Sequence, residues 1–173
     1  MEILRTERLL LRELTLADTG DLCEIMQDPQ AMTAYERTYD TPQVEEWIRR
    51  NMARYRQDGA GLWAVVRRQD GVLLGQCGLV YQQVEGLAFW EVGYLFKRRF
   101  WHQGYATEAA RACRDYAFST LGAPAVYSIV KHNNLPSQRV AQRNGMHIHR
   151  TVHYGSRLAD TLHYLYMVEN PAQ

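Results

Sequence analysis

The first third of the chain alternates between a short apolar run and two segments with apolar residues at helical spacing. Three leucines, Leu9–Leu11, predict a first strand. A helix is expected from Leu16 to about Met26, with Thr15 as its N-cap. A second helix is expected to start at Thr41-Pro42, a capping residue followed by proline at the first helical position, and to end at Asp58-Gly59.

The pattern then changes to β-branched and aromatic runs that are typical of strands. Three successive strands are predicted at Leu62–Arg67, Val72–Tyr81 and Leu87–Phe96. Asp70-Gly71 is a strong signal for a tight hairpin, and Glu85-Gly86 indicates a second turn. Together they predict an antiparallel meander.

The last part of the chain alternates helices with strands. The longest helix presents a face of small residues from Ala106 to Leu121 and ends at Gly122. The elements predicted after it are a strand at Ala125–Lys131, a short helix at about Ser137–Asn144 with Gly145 as C-cap, and two strands at Met146–Tyr154 and Leu158–Val168 joined at Gly155-Ser156. This order indicates an α+β fold around a mostly antiparallel sheet.

Composition narrows the class of protein. The chain has 173 residues, 46% hydrophobic and 23% charged, which favours one folded domain over residues 1–173. Lys plus Arg number 20 and Asp plus Glu number 19, so no global charge attracts nucleic acid, and an RNA-binding role is disfavoured. No apolar run is long enough to span a membrane, and the N-terminus lacks a signal-peptide pattern. A cytoplasmic protein is therefore expected.

The three cysteines, Cys23, Cys77 and Cys113, are odd in number and far apart in sequence. This arrangement fits neither a disulfide framework nor a paired-cysteine zinc site, and it favours reduced, mostly buried thiols. The histidines His147, His149, His153 and His163 fall on two neighbouring predicted strands, but no cysteine or carboxylate completes a ligand set. No metal site is predicted.

One segment carries chemistry: a strand that leads through a glycine loop into a helix. The strand ends at Tyr94-Leu95-Phe96, and the loop and helix start read WHQGYATEA from Trp101 to Ala109. Backbone N–H groups at a helix N-terminus have no intrahelical partner and bind anions, and Gly104 allows a close approach. Arg98 and Arg99 add charge nearby. An ordinary strand-to-helix turn is the alternative, and the three-glycine dinucleotide pattern is absent.

Four segments in order make the chain resemble the GNAT superfamily of acetyl-CoA-dependent N-acetyltransferases, in its branch of ribosomal-protein (RimJ/RimL-like) enzymes. They are TERLLLREL at Thr6–Leu14, WEVGYLF at Trp90–Phe96, WHQGYATEA at Trp101–Ala109 and NLPSQRVAQRNGM at Asn134–Met146. The resemblance implies a mostly antiparallel central sheet of about seven strands flanked by about four helices. It also implies acetyl-CoA as cosubstrate, an amine acceptor as partner, and favours a homodimer.

The resemblance also assigns cofactor-binding positions. The backbone of the strand end would pair with the pantetheine arm, the loop would hold the pyrophosphate, and an asparagine would contact the cofactor from the other side. These positions are Tyr94, Leu95, Phe96, His102, Gln103, Gly104, Tyr105, Ala106, Thr107 and Asn134. Trp101 departs from the Gln or Arg that is general at the start of this loop.

Acyl transfer to an amine needs a neutral amine, a stabilised oxyanion and a proton for the thiolate. Backbone amides near Leu95 would polarise the carbonyl. The tyrosine that many members use as acid is replaced by Ala141, and the resemblance transfers that role to Ser137, which would otherwise be a helix N-cap. Glu91 matches a family glutamate that would deprotonate the amine, or else it is a buried structural carboxylate.

The acceptor is the least determined part of the site. The resemblance places Asp160 in the acceptor cleft and Tyr35 and Tyr39 in the loop that lines it. None of the cysteines lies in a transfer motif, so direct transfer in a ternary complex is expected rather than an acetyl-cysteine intermediate. A protein N-terminus and a small amine both remain as acceptors. A non-catalytic acetyl-CoA sensor is the alternative function, because the usual acid is missing.

Overall fold

A computed structural model describes residues 1–154 and 161–172. Eight strands within these residues form one sheet: β1 (Glu2–Arg5), β2 (Leu9–Arg12), β3 (Leu62–Arg67), β4 (Leu73–Val84), β5 (Leu87–Phe96), β6 (Ala125–Lys131), β7 (His147–Tyr154) and β8 (Thr161–Glu169). Their spatial order is β1-β2-β3-β4-β5-β6-β8-β7. Every neighbouring pair is antiparallel except β5 and β6, which are parallel.

Four α-helices cover the sheet in the described residues, two on each face. They are α1 (Thr19–Met26), α2 (Thr41–Gln57), α3 (Tyr105–Ser119) and α4 (Leu135–Arg143), with short 3₁₀ turns at Leu16–Asp18, Thr33–Tyr35 and Arg98–Phe100. None of these helices is long and apolar enough to cross a membrane. The α+β architecture expected from the sequence is confirmed.

The two faces of the sheet hold separate hydrophobic cores because successive strand residues point in opposite directions. On β3, Val65 packs toward α3, whose small residues Ala109 and Ala117 allow close approach. The next residue, Val66, packs with Val44 of α2 in the other core. The alternation places α1 and α2 on one face and α3 and α4 on the other.

Most predicted elements are observed with small changes at their ends. The bounds of β3, β5 and β6 are those predicted. In contrast, β1 was not expected, and the sheet has eight strands within the described residues instead of about seven. The N-cap of α2 is Asp40 and not Thr41, because the Asp40 carboxylate accepts a hydrogen bond from the Gln43 N–H at 2.9 Å. The predicted junction Gly155-Ser156 and Asp160 lie outside the described residues.

The parallel contact between β5 and β6 is short. β5 pairs with β4 along its whole length, but with β6 only at Trp90↔Val126 and Glu91↔Tyr127. Beyond Glu91 the two strands separate, and the edge of β5 that faces β6 has no strand partner among the described residues. An opening therefore lies in the sheet between the end of β5 and the end of β6.

Candidate active site

The glycine loop places a helix N-terminus beside this opening. Gly104 is the N-cap of α3 and has φ of +81°, which is a left-handed conformation that favours glycine. A Cβ at Gly104 would lie 3.4 Å from Nη2 of Arg8 and would fill space in front of the helix. The first N–H groups of α3 lack intrahelical acceptors, so the loop fits a bound anion such as a phosphate.

Two side chains hold the loop against the segment that precedes it, one at the end of β5 and one at the 3₁₀ turn that follows. Nε1 of Trp101 donates to the carbonyl oxygen of Phe96 at 2.9 Å, and Nε2 of Gln103 donates to the carbonyl oxygen of Arg99 at 3.1 Å. The departure at Trp101 from the family's Gln or Arg thus has a structural role, because its indole closes the turn between β5 and α3.

The sequence predicted extra positive charge beside the loop. In the structure, carboxylates of the chain already form ion pairs with these arginines. Arg98 pairs with Asp28, and Arg99 pairs with Glu24 of α1. The buried Nζ of Lys97 contacts the carboxylate of Glu24 at 3.0 Å. These cations hold α1 onto the end of β5, so the prediction that Arg98 and Arg99 serve the loop as added anion-binding charge is not carried by the geometry.

The end of β5 provides backbone groups along the opening. Tyr94, Leu95 and Phe96 follow the last pair that β5 makes with β6. Oγ of Ser128, on β6, donates to the carbonyl oxygen of Val92 at 3.0 Å, which fixes the width of the opening at its closed end. An extended ligand arm could add to β5 here as a further strand would.

Glu91 lies at the closed end of the opening, on the face of the sheet that carries α1 and α2. Its Oε2 accepts a hydrogen bond from Nε2 of Gln82 at 2.8 Å, and its Oε1 accepts one from the Ile129 N–H at 3.4 Å. Burial raises the pKa of Glu91 to about 7, although the hydrogen bonds from Gln82 and Ile129 oppose the shift. A carboxyl group with this pKa can exchange protons at physiological pH.

Aromatic side chains surround Glu91 on the same side. The hydroxyl of Tyr154 lies 3.5 Å from Nε2 of Gln82, and the hydroxyl of Tyr35 lies within electrostatic range of Glu91. Tyr35 is 43% exposed over the whole residue, whereas Tyr39 is buried against Trp47. Of the two tyrosines predicted in this loop, only Tyr35 is therefore partly open to solvent, and its role in an acceptor cleft stays a prediction.

An ion pair crosses from this loop to the end of β6. Nζ of Lys131 contacts the carboxylate of Glu36, and the Lys131 side chain is only 10% exposed. Glu36 has φ of +56°, a conformation that residues other than glycine seldom adopt. The pair thus joins the two walls beside Glu91.

The N-terminus of α4 forms the other side of the opening. Oδ1 of Asn134 accepts a hydrogen bond from the Ser137 N–H at 3.2 Å, so Asn134 is the N-cap and the alternative that Ser137 caps the helix is wrong. Oγ of Ser137 lies 2.6 Å from the hydroxyl oxygen of Tyr94, across from β5. Ala141, at the family's tyrosine position, is buried in the core.

The cysteines and histidines lie apart from these groups or engage other partners. The thiols of Cys77 and Cys113 are fully buried, with their sulfur atoms 3.6 Å apart, and Cys23 is on α1. His163 places Nδ1 2.7 Å from the carbonyl oxygen of Thr161. In residues 1–154 and 161–172, no three His, Cys, Asp or Glu side chains form a group that could hold a metal ion.

The structure thus brings the predicted positions around one opening: the end of β5, the loop before α3, and the start of α4. Sequence reasoning missed the hydroxyl of Tyr94 and the pairing of Arg8 with Glu108. The alternation of β5 was a usable signal for Tyr94, since it shares a face with Val92 and Phe96, which pack toward α3. Long-range pairing of Arg8 had no signal in the sequence.

Comparisons with known proteins agree with this geometry. The family model described as acetyltransferase (GNAT) domain matches residues 8–147. YkkB of Bacillus subtilis, named an uncharacterized protein, is 39% identical over 148 residues, which cover 85% of this chain and 86% of YkkB. The uncharacterized N-acetyltransferase p20 of Bacillus licheniformis is 31% identical over 140 residues, covering 79% and 78%.

Solved structures share the fold. An acetyltransferase from Agrobacterium tumefaciens has a TM-score of 0.79 and 31% identity, and the match covers 96% of this chain and 93% of that one. RimL, a ribosomal L7/L12 α-N-protein acetyltransferase solved with coenzyme A, has a TM-score of 0.79 over 100% of both chains at 14% identity, a likeness of fold alone. Together with the family match, these findings identify the chain as a member of the GNAT family of acetyltransferases.

Proposed function

We propose that this protein transfers the acetyl group of acetyl-CoA to a primary amine by direct attack within a ternary complex. The observation that carries the proposal is the opening between β5 and β6, which has a carboxyl group at its closed end and an anion-binding helix N-terminus beside it. A thioester arm lying along β5 would have its phosphates at α3 and its acyl carbon near Glu91.

The residues present fit acetyl-CoA as cosubstrate. The backbone from His102 to Thr107 binds the pyrophosphate, the backbone of Tyr94–Phe96 binds the pantetheine arm, and Asn134 borders the arm from α4. Acetyl-CoA supplies the acyl group as a thioester, which is activated toward attack by an amine. N–H groups near Leu95 stabilise the negative charge that develops on the carbonyl oxygen.

Glu91 acts as the base that takes a proton from the amine. An α-amino group has a pKa near 8 and a lysine side chain one near 10.4. A base with a pKa of about 7 accepts a proton from the former at a much smaller cost. The preferred acceptor is therefore an α-amino group, of a protein N-terminus or of a small molecule, and not a lysine side chain.

Direct transfer is supported by where the cysteines lie. Cys77 and Cys113 are fully buried in the core between the sheet and α3, out of reach of solvent. Cys23 is on α1, next to the hydroxyl of Thr41. No described cysteine borders Glu91, so an acetyl-cysteine intermediate gains no support.

The proposal is tested by calorimetry of acetyl-CoA binding and by thiol release with amines. The panel pairs peptides that have a free N-terminus and no lysine with N-terminally blocked peptides that carry one lysine. Gly104→Val is expected to abolish binding, whereas the matched control Gly59→Val has the same type of backbone strain, at φ of +75°, away from the loop and should bind normally.

Turnover with the free N-termini, lost in Gly104→Val, would support the proposed enzyme. Tight binding of acetyl-CoA without turnover on any amine would contradict it and favour an acetyl-CoA sensor. Faster turnover with the blocked lysine peptides would contradict the acceptor class.

A further inference from the structure

A tyrosine from β5 reaches the start of α4, where Ser137 lies. The side chain of Tyr94 crosses from β5 to the start of α4, where its hydroxyl oxygen lies 2.6 Å from Oγ of Ser137 and donates to the Ser137 carbonyl oxygen at 3.1 Å. Its hydroxyl is partly buried between β5 and α4, and this burial raises its pKa while the Ser137 hydrogen bond opposes the shift. The phenol therefore remains protonated at physiological pH.

Ser137 alone is a poor acid for a leaving thiolate. An aliphatic alcohol holds its proton much more tightly than a thiol does, whereas a phenol, with a pKa near 10, is closer to a thiol, near 8.5. Burial disfavours the charged form of both groups, so a thiolate that leaves in the same opening is also driven to take up a proton. Two ionisable groups act on Tyr94 electrostatically: Cys77, its cross-strand neighbour on β4, and Glu91, which lies on the other face of the sheet.

The hydrogen-bond geometry allows two arrangements of this pair. In one, Ser137 donates to Tyr94 and Tyr94 donates to the Ser137 carbonyl oxygen, so the proton of Ser137 is engaged. In the other, Tyr94 donates to Oγ of Ser137 and leaves the proton of Ser137 free for a ligand in the opening. The second arrangement offers the short 2.6 Å hydrogen bond as a path for a replacement proton.

We infer that Tyr94 is the proton source for the leaving thiolate and acts through Ser137 as a relay. The inference rests on the proposed function. As the amine nitrogen bonds to the acyl carbon, the C–S bond breaks and its electron pair stays on sulfur. Ser137 gives its hydroxyl proton to sulfur, Tyr94 gives its phenolic proton to Oγ of Ser137, and water returns a proton to Tyr94. Glu91 takes the amine proton and releases it to water, so the products are an amide and a thiol.

A merely structural role for Tyr94 is the competing explanation, because its hydrogen bonds also hold α4 in place. The chain offers a matched control. The hydroxyl of Tyr166, on β8, donates to Oε1 of Gln138 at 3.3 Å, which is also a tyrosine-to-α4 hydrogen bond. Tyr166→Phe therefore removes a tether of α4 without touching the relay.

The test measures acetyl-CoA binding by calorimetry and single-turnover thiol release for wild type, Tyr94→Phe, Ser137→Ala, the double variant and Tyr166→Phe. We expect Ser137→Ala and Tyr94→Phe each to slow transfer about 10²-fold without weakening acetyl-CoA binding more than about twofold. Because both act on one proton, the double variant should be no slower than Ser137→Ala. Tyr166→Phe should stay within about twofold of wild type.

Mixtures of H₂O and D₂O separate a relay from a tether. The dependence of the wild-type transfer rate on the fraction of D₂O should require two protons in motion on the leaving-group side. The same dependence for Tyr94→Phe should require one proton fewer. A Tyr94→Phe rate within twofold of wild type, additive losses in the double variant, or an equal loss in Tyr166→Phe would each overturn the relay while leaving the enzyme intact. Wild type that binds acetyl-CoA but acetylates no amine would overturn the proposed function and the relay together.

Discussion

The carboxylate of Glu108, in the first turn of α3, binds the side chain of Arg8 from the segment between β1 and β2. Nε of Arg8 lies 2.7 Å from Oε2 of Glu108, and Nη1 of Arg8 donates to the carbonyl oxygen of Gln103 at 3.0 Å. Oε1 of Glu108 also accepts hydrogen bonds from the Thr6 hydroxyl at 2.6 Å and the Arg8 N–H at 3.0 Å. One carboxylate thus joins the N-terminal segment to the loop that precedes α3.

Glu108→Gln is expected to lower the free energy of unfolding by about 1–2 kcal/mol, because three donors lose a charged acceptor. It should also weaken acetyl-CoA binding severalfold, since Arg8 positions Gln103. Denaturant unfolding and calorimetry measure the two effects. The control Glu45→Gln removes an exposed pair with Arg49 and should change neither by more than about 0.5 kcal/mol. Unchanged acetyl-CoA binding in Glu108→Gln would show that the loop before α3 keeps its conformation without the contact between Glu108 and Arg8.

Asp18→Asn is expected to destabilise the protein in a pH-dependent way. Burial alone raises the pKa of Asp18, but hydrogen bonds from Arg12 and the Thr15 N–H outweigh it, and the pKa lies below its usual value of 3.8. A lowered pKa means that the stabilisation is present above the unfolded-state value and is lost as pH falls through the folded-state value. The cost should be about 2–3 kcal/mol from pH 8 to 5 and should shrink below about pH 4.

Urea unfolding of both proteins across this pH range checks the prediction. Asp115→Asn is the matched control, because Asp115 also pairs with an arginine but is 57% exposed. Asp115→Asn should change the free energy of unfolding by no more than about 0.5 kcal/mol. A difference between wild type and Asp18→Asn that does not change at acid pH would contradict the assignment of the effect to the Asp18 charge.

Glu91→Gln is expected to lower kcat by about 10²–10⁴-fold, because the amide cannot accept the amine proton. Binding of acetyl-CoA should not change, since the loop before α3 is untouched. The wild-type profile of kcat against pH should rise through a midpoint near the pKa of Glu91, about 7, and the residual activity of the variant should lack this limb. Full activity of Glu91→Gln at pH 8 would remove Glu91 from the mechanism.

The same substitution is expected to stabilise the folded state at alkaline pH. A raised pKa means that the folded state holds its proton more tightly than the unfolded state, so wild type loses stability as pH rises from about 4.5 to 7. Glu91→Gln does not titrate, and its stability relative to wild type should grow by about 1–2 kcal/mol over that interval. Unfolding experiments at pH 5 and pH 8 measure the change, and a constant difference between the two proteins would contradict it.

Lys131→Met is expected to raise the KM for the amine about fivefold, because the loop that carries Glu36 loses its contact with the end of β6. Acetyl-CoA binding should not change, which distinguishes an effect on the acceptor wall from general loosening. Lys131→Arg keeps the charge and should restore most of the affinity. An equal rise in the KM for the amine in both variants would show that the packing of Lys131, and not its charge, keeps the loop of Glu36 in contact with β6.

The sequence predicted those parts of the fold that depend on local pattern. β3, β5 and β6 have the expected bounds because β-branched and aromatic runs and tight turns delimit them. β1 was missed because four residues at the edge of a sheet carry too little pattern to distinguish a strand from a loop. The N-cap of α2 was placed one residue late, since Asp40 and Thr41 are both good caps and only the Asp40 hydrogen bond separates them.

The parts of the candidate site that are contiguous in sequence could be predicted, whereas the long-range contacts could not. The glycine loop and the end of β5 are contiguous in sequence, so motif reasoning located them. The partners of Arg98 could not be located, because Asp28 lies 70 positions away and nothing local marks the pairing. The relation between Tyr94 and Ser137 spans 43 positions and depends on how α4 returns against β5. Such contacts are set by tertiary packing, which no local sequence pattern encodes.

The two-pair contact between β5 and β6 also bears on how long the protein survives in a cell. A donor molecule bound along β5 would fill the missing stretch of sheet and add its binding energy to folding, about 2.7 kcal/mol at a concentration 100 times Kd. Proteases cut the chain when it is unfolded. Because a bound donor lowers the unfolded fraction, cleavage should slow as the occupancy of the donor site rises. A short parallel contact in the sheet therefore ties the resistance of the folded chain to proteolysis to how fully its donor site is occupied.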